Sequence, residues 1–244
     1  MKPLLELESV SKVFRAAGVE TTALDRVDLA IEPGEFVALM GPSGSGKSTL
    51  LNAIGLLDPV SSGRLTFDGA DLGGMNNRAR AAFRKAHLGF VFQSFNLIDE
   101  LTVLDNIALP LVYQGVRAAE RARRCDEAMT RLGIAHRAGH RPAQLSGGQQ
   151  QRVAIARALV AKPRLVLADE PAGNLDSANG REMIELLREL VDDGAAVLMA
   201  THSEEHAAAA DRIVTMRDGR VIDAGARRAR AGLHAVAALE RQAS

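Results

Sequence analysis

Leu5, Leu7 and Ser9 alternate with Glu6, Glu8 and Val10, the two-residue period of a strand with one buried face. Val27, Leu29 and Ile31 repeat the pattern. Pro33-Gly34 makes a turn into Phe36–Met40, a run apolar on both faces, as expected of a central strand covered on both sides. A glycine-rich loop follows, and then a helix is predicted through Leu57. Ser61-Ser62-Gly63 and Asp68-Gly69 flank a short strand, Arg64–Phe67. From residue 78 to 161 the patterning becomes helical, with Leu101, Leu104, Ile107, Leu109, Leu111 and Val112 crowding one stretch. After Pro163 the strand–helix alternation returns. Leu165–Ala168 reads as a buried strand, and Met183, Ile184, Leu186, Leu187, Leu190 and Val191 form one helix face. Gly194 is suited to cap that helix, Ala195–Ala200 is a further buried strand, and Asp218-Gly219 is a hairpin turn. No repeat and no long linker interrupts the chain. The reading is one α/β domain over 4–244, with a core of 4–77 and 162–222, a helical insert of 78–161 and an Ala/Arg-rich tail of 223–244. Beyond Gly225 that tail is read as a surface helix or a frayed end.

Composition narrows the class of partner. Apolar residues make up 47% and charged residues 25%, an ordinary globular balance. Lys+Arg and Asp+Glu both total 30, so there is no basic excess to grip nucleic acid, and no nucleic-acid partner is expected. Cys125 is the single cysteine, which rules out an intrachain disulfide and fits a reducing cytoplasm. Glu6 and Glu8 near the start argue against a secretory signal. The apolar runs Leu50–Leu57 and Ala195–Ala200 are far short of the ~18 residues that a membrane span needs.

Gly41-Pro42-Ser43-Gly44-Ser45-Gly46-Lys47-Ser48 fits the phosphate-loop spacing and sits between a buried strand and a helix. Glycines let the backbone wrap a polyphosphate with its N–H groups pointing inward, and the helix that follows adds its positive N-terminal end. Lys47 supplies a mobile charge for the β- and γ-phosphates, and the Ser48 hydroxyl suits Mg²⁺. The blander reading, a Gly/Ser-rich turn before a helix, does not account for strand, loop, Lys-Ser and helix in order. By itself the motif says only nucleoside triphosphate.

Leu165–Ala168 runs into Asp169-Glu170, two carboxylates at the C-terminal edge of a strand. That edge lies beside the phosphate loop in such folds. Asp169 is placed to bind Mg²⁺ through water, and Glu170 to accept a proton from, or orient, an attacking water. The alternative is a solvated acidic turn.

Leu145-Ser146-Gly147-Gly148-Gln149 then opens a helix that continues through Gln150 to Leu159. Read alone, it is an N-cap with a glycine-rich lead-in and a second set of free N–H groups. In order and spacing it resembles the signature of the ABC family of ATPases. The resemblance covers about Leu4 to Ile222. It implies a P-loop NTPase core with a parallel sheet, an antiparallel β subdomain and the inserted helical subdomain. It implies ATP with Mg²⁺, and a head-to-tail dimer in which each ATP lies between one copy's phosphate loop and the other's signature.

Further roles come with the resemblance. Phe14 matches the aromatic that stacks on adenine, where tyrosine is commoner, and an ordinary core aromatic is the competing reading. Thr49 joins the nucleotide-binding set. Gln93, in Phe90-Val91-Phe92-Gln93, matches the glutamine that contacts Mg²⁺ and the lytic water. Asn174-Leu175-Asp176 matches the loop that meets the partner copy, and His202 the histidine that touches the γ-phosphate. His202 and His206 are four apart, but no third ligand is evident and a metal pair is rejected.

Met40–Gly55, Gly89–Leu97, Leu101-Thr102-Val103 and Leu167–Pro171 resemble the lipoprotein-releasing and macrolide-export branch. Ala172 departs from the threonine usual there. The branch implies an integral membrane permease on a separate chain and a location at the cytoplasmic face of the inner membrane, with apolar Phe95–Val112 as the docking region. A regulatory ATPase of the cell-division type, which gates a membrane partner without transport, is the alternative. Chromosome-maintenance relatives carry a long coiled coil between phosphate loop and signature, whereas about a hundred residues separate Gly41 from Leu145 here.

Overall fold

The computed structural model describes residues 2–16 and 19–226. Its first layer grows from the alternating N-terminal segments. β1 (Leu5–Ala16) and β2 (Val19–Ile31) pair antiparallel from Leu5↔Ile31 to Ala16↔Val19. The predicted phase fails at Ser9, which is exposed while Val10 is buried. The register slips between Leu7 and Val10, and Ser9 takes a left-handed φ of 48°, its N–H donating to Asp28 Oδ1 at 2.7 Å. This is a bulge, and one extra residue moves every later side chain to the other face. The strand predicted at Arg64–Phe67 is β4 (Ser62–Phe67), which with β5 (Ala70–Asp71) completes the order β2-β1-β4-β5.

The second sheet is built from the apolar runs. It contains β3 (Phe36–Met40), β6 (Leu88–Phe92), β7 (Leu165–Asp169), β8 (Ala196–Thr201), β9 (Arg212–Arg217) and β10 (Arg220–Asp223), in the order β10-β9-β3-β8-β7-β6. Pairing is parallel from β9 across to β6, and β10 is an antiparallel edge. β6 falls inside the stretch whose pattern reads as helical. It nevertheless pairs with β7 from Leu88↔Leu165 to Phe92↔Asp169, its short run of mostly apolar residues lying at the edge of the sheet.

The helices are α1 (Lys47–Ile54), α2 (Asn77–His87), α3 (Val103–Tyr113), α4 (Ala118–Arg131), α5 (Gly147–Leu159), α6 (Ser177–Asp192) and α7 (Glu204–Ala208). α1 stops three residues before the predicted Leu57, since Leu56 adopts a φ of 53°. α6 buries Met183, Ile184, Leu187, Leu190 and Val191 and ends before Gly194 at φ 98°, as its pattern predicts. The part of the Ala/Arg-rich tail beyond residue 226 lies outside the described residues.

The parallel sheet has an apolar layer on each face. Phe36, Ala38, Val91, Val166, Ala168, Val197 and Met199 face the cluster that contains α3, α5 and α6 residues. Val37, Leu39, Leu165, Leu167, Leu198 and Ala200 face α1 and the antiparallel sheet. Burying each of the larger of these side chains, the valines, leucines, Phe36 and Met199, contributes about 1.5–3 kcal/mol.

One charged group inside this core is held by two partners. Asp211 is almost wholly buried, its carboxylate accepting from the Phe36 N–H at 2.9 Å and from Arg188 at 2.7 Å. Removing one partner of such a pair strands the other charge. Asp211→Ala is expected to destabilise the fold by about 3 kcal/mol. That loss would lower the urea midpoint by roughly 1 M, and an unchanged midpoint would contradict this account of the core.

Candidate active site

Parallel register decides which side chains meet. Met40 at the end of β3 pairs with Thr201 at the end of β8, and Asp169 at the end of β7 pairs with Ala200. The phosphate loop, the two carboxylates and His202 therefore leave the sheet at one edge.

The loop from Gly41 to Ser48 bends through glycines at positions no side chain could occupy. Gly46 has a φ of 101°, and a Cβ there would lie 2.7 Å from the Ala23 carbonyl of β2. A Cβ on Gly41 would lie 2.3 Å from the Met216 carbonyl of β9. The loop is also held from outside. The Gly219 N–H donates to the Ser45 carbonyl at 3.0 Å, and the Asp25 N–H donates to the Gly219 carbonyl at 2.9 Å. α1 has no side-chain N-cap, so its first N–H groups have no capping side chain and face the loop. Lys47 is buried and donates to the carbonyls of Gly41 at 2.7 Å and Pro42 at 2.9 Å. The Ser45 hydroxyl is buried without a partner among the described residues.

Behind the loop, the Ser48 hydroxyl donates to the Asp169 carboxyl. Burial holds Asp169 above the usual carboxylate range. The Ser48 hydrogen bond opposes this, Glu170 reinforces it, and the Lys47 charge opposes it. An all-oxygen pair whose carboxylate is short of solvation suits a hard divalent cation, which would offset that desolvation.

Glu170 follows in a left-handed conformation, φ 46°, its N–H donating to the Ala200 carbonyl at 3.0 Å. The turn points its carboxylate at His202, with Oε2 and Nδ1 2.7 Å apart. A non-glycine residue held at positive φ stores about 1–3 kcal/mol of strain, a feature concentrated at functional sites. Gln93 and Asn174 hold each other. The Gln93 amide donates to Asn174 Oδ1 at 3.2 Å, and the Asn174 amide donates to the Gln93 carbonyl at 3.0 Å.

At the start of α5, Ser146 and Gln149 form a reciprocal capping box. The Gln149 N–H donates to Ser146 Oγ at 3.3 Å and the Ser146 N–H to Gln149 Oε1 at 3.1 Å. The neighbours of its glycines are Leu175 and Phe95 for Gly147 and Asn179 for Gly148, with Asn179 Oδ1 2.9 Å from where a Gly148 Cβ would be. The signature thus packs on the segment that opens α6 and not on its own phosphate loop.

The profile of the family described as ABC transporter matches residues 24–173. The chain belongs to the ABC transporter family. It is 48% identical over 220 residues to a macrolide export ATP-binding/permease protein MacB of Azoarcus sp. (strain BH72), covering 90% of this chain and 34% of that protein. The chain thus spans about a third of the length of the curated relatives it matches. Among solved structures it is similar to MJ0796, a bacterial ABC transporter cassette in a dimeric structure, at 42% identity and a TM-score of 0.84 over 90% of this chain and 97% of that one. A second structure of MJ0796, in a post-hydrolysis state bound to ADP and Pi, matches equally well. The fold is that of an ABC ATPase cassette.

Two residues of the cassette without an assigned role in its motifs support the site. Arg157 of α5 donates to the Asn96 carbonyl at 2.5 Å and the Phe95 carbonyl at 2.7 Å, where both residues have positive φ. Gln151 is buried and donates to the Pro171 carbonyl at 2.7 Å, just after Glu170. Neither contact is local in sequence; the one visible signal is a glutamine inside an otherwise apolar helix face.

Phe95–Val112, the predicted docking stretch, divides. Val103, Ile107, Ala108 and Leu111 are core, while Ile98, Leu104 and Val112 are exposed. Beside it a groove of about 270 Å³ runs between α2, β6, α3 and α5, lined by Arg84, Lys85, Phe90, Leu109, Tyr113 and Arg157.

Asp169 carries a stability consequence. An acid whose folded pKa is raised binds its proton more tightly in the folded chain. Stability therefore falls as pH rises from the ordinary carboxylate range through the raised value, and at neutral pH the whole cost is present. Asp169→Asn is expected to raise the thermal midpoint of the nucleotide-free cassette by a few degrees at pH 7, with the gain shrinking toward pH 4. An unchanged or lower midpoint at pH 7 would show that the carboxylate is not strained.

Proposed function

We propose that this chain binds ATP between two copies of itself and hydrolyses it to power a separate membrane permease, for export or lipoprotein release. The observation that carries the chemistry is the Glu170–His202 pair at 2.7 Å, set beside the Ser48–Asp169 pair at the same sheet edge. The match to MJ0796, solved as a dimer and with ADP and Pi, supports both the dimer and the reaction.

The phosphates lie over the loop of Gly41, Pro42, Ser43, Gly44, Ser45 and Gly46, with Lys47 and Thr49 at the start of α1. Lys47 must leave the Gly41 and Pro42 carbonyls to reach the γ-phosphate, exchanging two neutral acceptors for a charged one. Ser48 and Gln93, with Asp169 acting through water, would hold Mg²⁺, which when bound supplies neutralisation of phosphate charge. Glu170 takes a proton from the attacking water as its oxygen bonds to the γ-phosphorus and the bond to the bridging oxygen breaks, releasing ADP and phosphate.

His202 sets the timing. With Nδ1–H donating to Glu170, a neutral ring has no proton on Nε2. To donate to the γ-phosphate the ring must gain a proton or turn. Turning frees the Glu170 carboxylate for water. Gln93 reaches the water only on leaving Asn174, and Asn174, Leu175 and Asp176 are the residues that a second copy would engage. The partner's capped signature helix, Leu145 to Gln149 in its own copy, would then close over the nucleotide, and its arrival loosens Gln93 for catalysis.

No helix among the described residues is long and apolar enough to cross a membrane. The Arg84–Tyr113 groove is the proposed seat of the permease, which keeps the cassette at the cytoplasmic membrane face. Glu170→Gln is expected to lower turnover by about 10²-fold or more while ATP binding and ATP-dependent dimerisation persist. Turnover at the unmodified rate would remove Glu170 from the reaction. Trapped with ATP and recovered from native membranes, the same variant should carry a permease with a large extracytoplasmic domain. A small division-type membrane protein in its place would shift the reading to the regulatory alternative.

A further inference from the structure

Lys12 is a charged side chain only 7% exposed, which a lysine tolerates only where its ammonium finds partners. It finds Asp58 Oδ1 at 2.6 Å and the Pro59 carbonyl at 2.7 Å. The same ammonium stands 4.9 Å from the centroid of the Phe14 ring. Lys12 and Phe14 are two apart on β1, and the contact between ammonium and ring puts both side chains on one side of the strand. Phe14 is 43% exposed, so with the cation against one part of the ring another remains open to solvent.

These contacts link two parts of the nucleotide site. Asp58 and Pro59 follow the C-terminal end of α1, the helix whose N-terminus is the phosphate loop. Phe14 pairs with Thr21 on β2, and two residues further along that strand the Ala23 carbonyl abuts Gly46. A phenylalanine has no hydroxyl to anchor it, so packing and the ammonium alone hold its ring angle. A cation near an aromatic face is attracted by the negative charge of the ring's π-system, which favours one ring orientation over others.

We infer that Lys12 is a positioning residue for the nucleotide base: it holds the Phe14 ring so that its open face receives the adenine, and ties that platform to the far end of the phosphate-binding helix. The inference rests on the reading of Phe14 as the base platform. It assigns Lys12 to recognition of the base and not of the phosphates.

The test compares Lys12→Met, Phe14→Ala, their double variant and Lys12→Arg in the full chain. Dissociation constants for ATP and for inorganic triphosphate, each with magnesium, are read beside KM and kcat. Lys12→Met should weaken ATP about fivefold in both Kd and KM, leave kcat within about twofold and leave triphosphate unchanged. Lys12→Arg should restore most of the loss, and Lys12→Met added to Phe14→Ala should add nothing. Equal weakening of ATP and triphosphate would overturn the proposal in favour of a purely structural strut, as would additive losses in the double variant. A Phe14→Ala protein with unaltered ATP affinity would remove the base platform and the proposal with it, while unaltered affinity in Lys12→Met alone would leave the platform and remove Lys12. If Lys12→Met does not fold, Asp58→Asn, which loosens the ammonium without removing it, is read by the same criteria.

Discussion

The chemistry of this cassette depends on the register of three parallel strands. β3, β7 and β8 end level with one another, and each ends in a different reagent: the phosphate loop, the carboxylate pair and the histidine. That common edge brings residues 41, 170 and 202 together. The register is secured by burial on both faces, since a slip of one residue would exchange the two apolar layers and break both. A backbone bond from Glu170 to Ala200 extends the ladder one residue past the strand, so that the acid is aimed by the sheet itself. Side chains that must be placed to fractions of an ångström are set on the stiffest part of the molecule.

Around that edge, groups that would act on a nucleotide are occupied with one another. Lys47 holds loop carbonyls, Glu170 holds His202, and Gln93 holds Asn174. Each pairing keeps a polar group satisfied and each is exchangeable for a stronger, charge-assisted one. The arrangement lets a site rich in polar side chains stay ordered, while leaving the energy of rearrangement small beside that of a bound polyphosphate. Asp169 is the exception: its partner Ser48 only partly compensates for burial. Stability and function pull against each other there.

What the sequence makes legible is what lies contiguous in it. The phosphate loop, Asp169-Glu170 and the signature are short strings whose residue types follow from the chemistry of phosphate and water. The apolar runs of β3, β7 and β8 mark the central sheet because parallel strands are buried on both sides. Contacts between distant segments leave no such trace. Arg157 and the Phe95–Asn96 turn are sixty positions apart, and no local pattern announces that one braces the other. β6 hides among helical segments because a short, mostly apolar run looks alike in either setting. The Ser9 bulge depends on Asp28, and Lys12 looks like one more surface cation until Asp58 and Phe14 are seen beside it.

The outer wall of the phosphate loop has a consequence for how the protein is made. Ser45 meets Gly219 across nearly the whole run of described residues, and Met216 and Ala23 close the space beside Gly41 and Gly46. The ribosome delivers the loop soon after Ala23, and the Met216 and Gly219 part of its wall late. A half-made chain thus contains the entire phosphate-binding string while the β9 and Gly219 side of its cradle is still missing.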